Sequence, residues 1–193
     1  MNTYNLINIW WLMVLLLVFQ FSKAQKQPIM PSDYEKWGTL IIDKTSQDAN
    51  WITYVMRYDS AGDTLFVQNT NSLKRYSFPN ANQTLFSSNN RMVAITTGSN
   101  VTLLNLVTGI RQNFLNTNSI SFLANNNIAI MQEVDNVNQV IVTNENGEKI
   151  LSTTGTLFKT SNTGDLAVSN ENEITIFQKA IYNKKQVITL DSI

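Results

Sequence analysis

Catalysis near neutral pH needs a side chain that can take a proton, give one, or hold a metal. This chain of 193 residues has few arranged to do so. It contains no His and no Cys, which removes Ser-His-Asp and Cys-His catalysis, thiolate redox chemistry and nearly all zinc sites. A Lys can replace His as the base for a Ser nucleophile, but no Ser-x-x-Lys spacing occurs. The G-x-S-x-G elbow, the Gly-Lys of a phosphate-binding loop and G-x-G-x-x-G are also missing. Glu133 and Asp135, two apart, are expected to share one face of a strand. Paired carboxylates can serve glycoside hydrolysis; the plainer reading is a solvated strand end. Arg57, Arg75, Arg91 and Arg111 are too scattered for one anion site, and Lys184-Lys185 reads as a turn. The acidic residues lack the spacing of a calcium loop. The expectation is no catalytic residue, no metal and no cofactor.

Charge and composition narrow the partners. Fourteen basic and fourteen acidic side chains give a formal net charge of zero. A nucleic-acid partner is not expected, because phosphate neutralisation needs a clustered excess of Lys and Arg. Apolar residues at 43% are enough for a buried core.

Residues 9–19 (IWWLMVLLLVF) form an unbroken apolar run. A membrane-spanning helix needs roughly 20 such residues, so the run fits the hydrophobic region of a secretory signal peptide better. Ser22 and Ala24 supply small residues at the −3 and −1 positions, which predicts cleavage between Ala24 and Gln25. The leader MNTYNLIN carries no Lys or Arg, and an uncleaved membrane anchor is the alternative. Membrane contact is expected through this segment alone. An exported chain without Cys has no disulfides and must depend on its core.

Residues 25–38 form an opening segment with a short helix, Ser32 as N-cap, Glu35 three residues on and Gly38 at its end. From residue 39 onward, short runs of β-branched and aromatic residues alternate with Asn, Gly, Asp and Ser, which predicts strands and tight turns. The pattern repeats. One strand type recurs around Thr53, Ala94, Ala129 and Ala167, at intervals of roughly 35 to 41 residues. The next recurs as Leu65-Phe-Val, Thr102-Leu-Leu, Val140-Ile-Val and Ile174-Thr-Ile. Four strands fit in the first unit, at 39–43, 51–58, 64–69 and 74–78. Four antiparallel strands per repeat of this length predict an all-β propeller of about four blades, near 39–79, 80–115, 116–153 and 154–193. A β-sandwich is the rival, but it has no reason to repeat every four strands. The small central residues fit crowding between neighbouring blades. Trp51, Tyr54 and Phe66 read as packing aromatics. An open, partial propeller is one outcome of stopping at four units.

The opening segment Pro28-Ile-Met-Pro-Ser-Asp-Tyr-Glu-Lys-Trp37 resembles the start of exported bacterial S9 (prolyl oligopeptidase family) peptidases. Ser46-Gln-Asp-Ala-Asn-Trp-Ile-Thr-Tyr54 resembles the blade motif S-x-D-G-x-W-h-x-Y of that family. Phe86-Ser-Ser-Asn-Asn-Arg-Met-Val-Ala94 resembles its F-S-P-D-G-K form, and Phe122-Leu-Ala-Asn-Asn-Asn127 and Ser161-Asn-Thr-Gly-Asp165 are looser copies. Ala49 and Asn90 stand where the motif has Gly; Asn tolerates left-handed backbone, Ala much less so. The resemblance covers the propeller half of such an enzyme only. It implies a non-catalytic propeller that restricts access to short or unstructured peptides, with any α/β-hydrolase domain beyond Ile193. The implied partner is that peptidase domain. The other reading is a free-standing periplasmic or extracellular propeller that binds a protein or peptide.

Overall fold

The structure is a computed structural model that describes Met30, residues 37–58, 61–179, Tyr182 and residues 184–189. The apolar run, the Ala24–Gln25 cleavage site and the helix expected at Ser32 lie outside the described residues. Sixteen strands are described, and they form four separate antiparallel sheets, each joined in simple chain order. The first holds β1 (Gly38–Thr45), β2 (Trp51–Tyr58), β3 (Thr64–Asn69) and β4 (Arg75–Pro79). The second holds β5 (Gln83–Phe86), β6 (Met92–Thr97), β7 (Asn100–Asn105) and β8 (Arg111–Phe114). The third holds β9 (Thr117–Phe122), β10 (Ile128–Val134), β11 (Val137–Thr143) and β12 (Lys149–Thr154). The fourth holds β13 (Leu157–Thr160), β14 (Leu166–Asn170), β15 (Glu173–Phe177) and β16 (Lys184–Thr189). These are the four propeller-like blades that the repeat predicts.

The blades stack through their faces. Alternation along each strand sends successive side chains to opposite faces, so a central strand apolar at consecutive positions serves two neighbours at once. In β6, Val93 and Ile95 join Leu65 and Val67 of the first blade in one cluster. Met92 and Ala94, on the other face, join Ile128 and Ile130 of the third. Ala129, Val140 and Val142 then pack on Leu166 and Val168 of the fourth. Burial of these clusters is the chief source of stability, at about 25 cal/mol per Å² of apolar surface removed from water. Among the described residues no core cluster joins the first blade to the fourth, so the stack is open.

Local geometry explains the connections. In three blades the second and third strands are joined by two-residue loops: Gly98-Ser99, Asp135-Asn136 and Glu171-Asn172. Asp135 and Asn136 both have positive φ, 51° and 62°, as a hairpin turn matching the strand twist requires. The turn between the first two strands also recurs. Ser46 Oγ donates to Asp48 Oδ1 (2.6 Å) and accepts from Trp51 N (3.0 Å). In the next blade Ser87 Oγ donates to Asn89 Oδ1 (2.7 Å) and accepts from Met92 N (2.9 Å). This is why the motif needs Ser and an Asx two residues later. The third and fourth copies close between Leu123 and Asn127 and between Ser161 and Asp165, one residue shorter. The first strand runs further than its sequence suggests, to Thr45, because a bulge at Asp43 restores its register. Lys184 and Lys185 open β16 rather than form a turn, and the register between β15 and β16 shifts beside Phe177.

Candidate functional site

The first strands of successive blades border shared recesses lined by polar and apolar side chains. At the first junction, Lys44 Nζ donates to the Thr84 carbonyl across the two blades (2.5 Å). Thr53 Oγ1 donates to Asp43 Oδ2 (3.0 Å), and Thr84 Oγ1 also donates to that oxygen. The two threonine hydroxyls lie 3.1 Å apart, both buried. Asp43 is thereby a bridge between blades. Its oxygen is occupied by hydroxyl donors, an arrangement for holding strands together rather than for moving protons.

Two recesses follow along β5 and β9. One, of about 270 Å³, is bordered by Gln83, Thr84, Thr117 and Ser119. The other, of about 370 Å³, lies at the far end of the same strands and reaches β13. Leu85, Phe86 and Phe122 give it apolar walls, and Ser88, Ser121 and Ser161 give it hydroxyls. Ser121 Oγ and Thr160 Oγ1 approach to 3.4 Å, tying the third blade to the fourth at its edge. None of the residues bordering this recess ionises. Such a surface suits a neutral, extended ligand held by apolar contact and a few hydrogen bonds. Its residues come from three blades; Phe86, Phe122 and Ser161 lie in the repeated motif segments, but the sequence marks them as turn copies and not as a ligand surface. Superposing the repeats is the signal that finds them, since Phe86, Phe122 and Thr160 each end a first strand.

The charged residues singled out from the sequence are distributed differently. Glu133 is on β10, but Asp135 sits in the hairpin turn, so the two do not share a strand face. The turn chemistry decided this: Asp135-Asn136 is the two-residue loop itself. Both residues border a cleft of about 620 Å³ between the second and third blades, with Lys149 on its rim. Among the described residues, no group of three His, Cys, Asp or Glu is placed to hold a metal ion. The arginines are dispersed. Arg57 pairs with Asp63 (3.4 Å), Arg91 with Glu145 (3.7 Å), Arg75 lies over Phe66 (4.9 Å) and Arg111 over Phe78 (4.7 Å). The aromatics divide. Trp51 is buried between the first two blades and stacks on Tyr76 at 6.2 Å. Tyr54 and Phe66 stack on each other at 5.3 Å on the opposite face of the first blade.

Asp48 is the one described group whose acidity is clearly displaced. The Ser46 hydroxyl above all, helped by the Asn50 amides, holds its carboxyl below the ordinary aspartate value, against the opposing effect of desolvation. The cause is the turn, and the group is fully exposed.

No protein-family model matches the chain, and no curated protein matches it. Several solved structures are similar to it. The β-propeller domain of the Trilobed protease from Pyrococcus furiosus is 13% identical, with a TM-score of 0.49 over 79% of this chain and 57% of that one. Acylaminoacyl peptidase from Pyrococcus horikoshii is 11% identical, with a TM-score of 0.46 over 80% of this chain and 33% of that one. TolB from Acinetobacter baumannii is 16% identical, with a TM-score of 0.43 over 81% of this chain and 45% of that one. The chain thus spans between a third and somewhat over half of these three structures. At these scores the likenesses carry no functional argument, and the architecture rests on the sheets themselves: an open stack of four propeller-like blades.

Proposed function

We propose that this chain is an exported, non-catalytic propeller that holds extended peptide segments against the first strands of its blades. The observation that carries the reading is the recess of about 370 Å³ shared by β5, β9 and β13, with apolar walls, hydroxyl rim and no ionisable lining residue. An unfolded peptide offers what such a surface takes: apolar side chains and unpaired backbone amides. The sequence resemblance to the gating propeller of S9 peptidases supports the same ligand class. Two settings use the same recess, a gate beside a hydrolase domain and a free-standing binding module. Coding sequence downstream of Ile193 that contains G-x-S-x-G, with a later Asp and His, distinguishes the first. Export rests on the apolar run and the Ser22-Lys23-Ala24 site, and N-terminal sequencing of the exported protein should begin at Gln25. Binding is tested by fluorescence polarisation with labelled unstructured peptides, proline-containing and proline-free. Binding in the micromolar range, lost when Ser121→Trp fills the recess, is the expected result. Equal binding by that variant, or none at millimolar peptide, would overturn the proposal.

A further inference from the structure

The cleft of about 620 Å³ between the second and third blades is bordered by the end of β8 on one side and by β10 and β11 on the other. The blades touch at both of its ends. At one end Gly147 meets the Gln112 side-chain amide so closely that any Cβ there would collide. At the other, Glu133 N donates to the Asn116 carbonyl (2.9 Å). The stretch from Gln112 to Asn116 reaches at most about 13 Å. Between the two ties, Phe114 packs against the core shared by the blades, while Leu115 is 66% exposed.

Register decides which side chains face the cleft. Ile128 and Ile130 belong to the core shared with the second blade, and Thr143 and Ile141 stand directly opposite them. Opposed residues share a sheet face, so Thr143 and Ile141 also turn toward the second blade. Lys149 stands opposite Thr143 on β12 and lies on the same side. Thr143 is 3% exposed, and its hydroxyl is buried with no hydrogen-bond partner among the described residues. Buried polar groups are rarely left so, and this one calls for a partner. The charges stand at opposite ends. Lys149, beside the Gly147 tie, is exposed and has no ion pair among the described residues. Near the Asn116 tie, alternation turns Glu133 to the other face. Asp135, exposed in the hairpin loop and likewise unpaired, is therefore the acid at that end.

We infer that this cleft is a second binding site, for a short extended peptide of about four residues with both termini free. Lys149 and the Thr143 hydroxyl donate to its terminal carboxylate, and the Asp135 carboxylate accepts from its terminal ammonium. Phe114 and Ile141 carry its apolar side chains. Four extended residues span about 13–14 Å, the length between the two ties. An apolar acid would leave Asp135 unanswered, and a lone cation would leave Lys149 and Thr143 unanswered. A zwitterion answers both. Capture of a peptide's free ends is a recurring mode of recognition, and the volume lies within the range of ligand pockets, about 300–1,000 Å³. The cleft shares no bordering residue with the recess at β5, β9 and β13, so this inference stands apart from the holding of longer peptides there.

Isothermal titration calorimetry of the purified full chain tests it, with Ala-Leu-Leu-Ala and with the N-acetylated and C-amidated forms of that peptide. The free peptide should bind with a dissociation constant between about 10 µM and 1 mM. Blocking either end should weaken binding about threefold to fivefold. Lys149→Met, which keeps the apolar stem, should bind the free and amidated peptides alike. Asp135→Asn should bind the free and acetylated peptides alike. Thr143→Val should weaken the free peptide about threefold to tenfold, yet leave the thermal midpoint unchanged or raise it, because the hydroxyl it removes has no partner in the fold. Ser121→Trp, in the other recess, should leave this binding as it is. No heat at about 10 mM peptide, equal binding of the three peptides by the unmodified protein, or undiminished binding by Thr143→Val would overturn the inference. So would loss of binding in Ser121→Trp, which would assign the peptide to the recess at β5, β9 and β13.

Discussion

Replacing Ala49 with Gly should stabilise the protein, although it removes a side chain and loosens the unfolded chain. The turn between first and second strands places equivalent residues in left-handed backbone in all four blades: Ala49 at φ 57°, Asn90 at 58°, Asn126 at 64° and Gly164 at 94°. Asn and Gly occupy that region at low cost, whereas for Ala it costs roughly 1–2 kcal/mol. Gly adds conformational entropy to the unfolded state, which takes back about 0.4–1 kcal/mol. Ala49 is exposed, so its methyl contributes little packing. The turn's bonds run through backbone, Ala49 N to the Ser46 carbonyl (3.0 Å) and Thr70 Oγ1 to the Ala49 carbonyl (2.9 Å), and survive the change. The net expectation is a gain of about 0.5–1 kcal/mol. Urea denaturation reads this as a rise in midpoint of a few tenths molar at unchanged slope, given slopes of about 1–3 kcal/mol per molar. Gly164→Ala is the reciprocal control and should lose about 1 kcal/mol or more. A midpoint that falls in Ala49→Gly, or a neutral Gly164→Ala, would show that these turns are not strained as their dihedrals imply.

The turn also sets an acid dependence. Because the folded structure lowers the pKa of Asp48 below the ordinary 3.8, its contribution to stability is full above that value and is lost as pH falls through the folded value. Asp48→Asn, which copies Asn89 of the next blade, should leave neutral-pH stability nearly unchanged and flatten the acid limb of a stability-versus-pH curve; an unaltered acid limb would refute the assignment. Leu103, fully buried between the second and third blades, should cost about 2–5 kcal/mol on truncation to Ala in the same urea assay, whereas Leu73→Ala, at a residue 97% exposed, should be near neutral. Purified protein should hydrolyse no peptide, proline-containing ones included, because no His or Cys exists to activate a nucleophile or bind zinc. Turnover that follows the protein through two orthogonal columns and disappears on a single Ser→Ala change would defeat that expectation.

What the sequence reveals follows from where the constraint lies. The blade interface repeats, so the small residues Thr53, Ala94, Ala129 and Ala167 mark it without any coordinates. The first unit's central strands, β2 and β3, run as their patterning suggests because both their faces and their turns are specified locally. Less was legible where a single residue alters register. Nothing in Ile42-Asp43-Lys44 announces a bulge, and Glu133-Val-Asp135 looks like continuing alternation until the two-residue loop is placed. Trp51 and Tyr54 look alike in sequence, yet they occupy opposite faces of β2. Only one of those faces has a neighbouring blade among the described residues.

The recess and the blade interfaces differ in the same way. An interface is written into contiguous residues of one strand, so a strand read alone announces it. The recess takes two or three residues from the end of each first strand, about one repeat apart, and no single stretch is unusual. Phe86 and Phe122 open repeated turn motifs in the sequence, but they share a recess with Thr160 only once blades are stacked. That asymmetry is physical: packing between blades demands shape at every position of a central strand, whereas ligand contact demands only chemistry at strand ends. Substitutions at the polar strand-end residues Ser121 and Thr160 should therefore leave stability largely intact and alter binding, while substitutions at Ala94 or Ala129 should do the reverse. Ala94→Leu would overpack the second interface, at about 1–3 kcal/mol, without adding or removing any group that lines the recess at β5, β9 and β13.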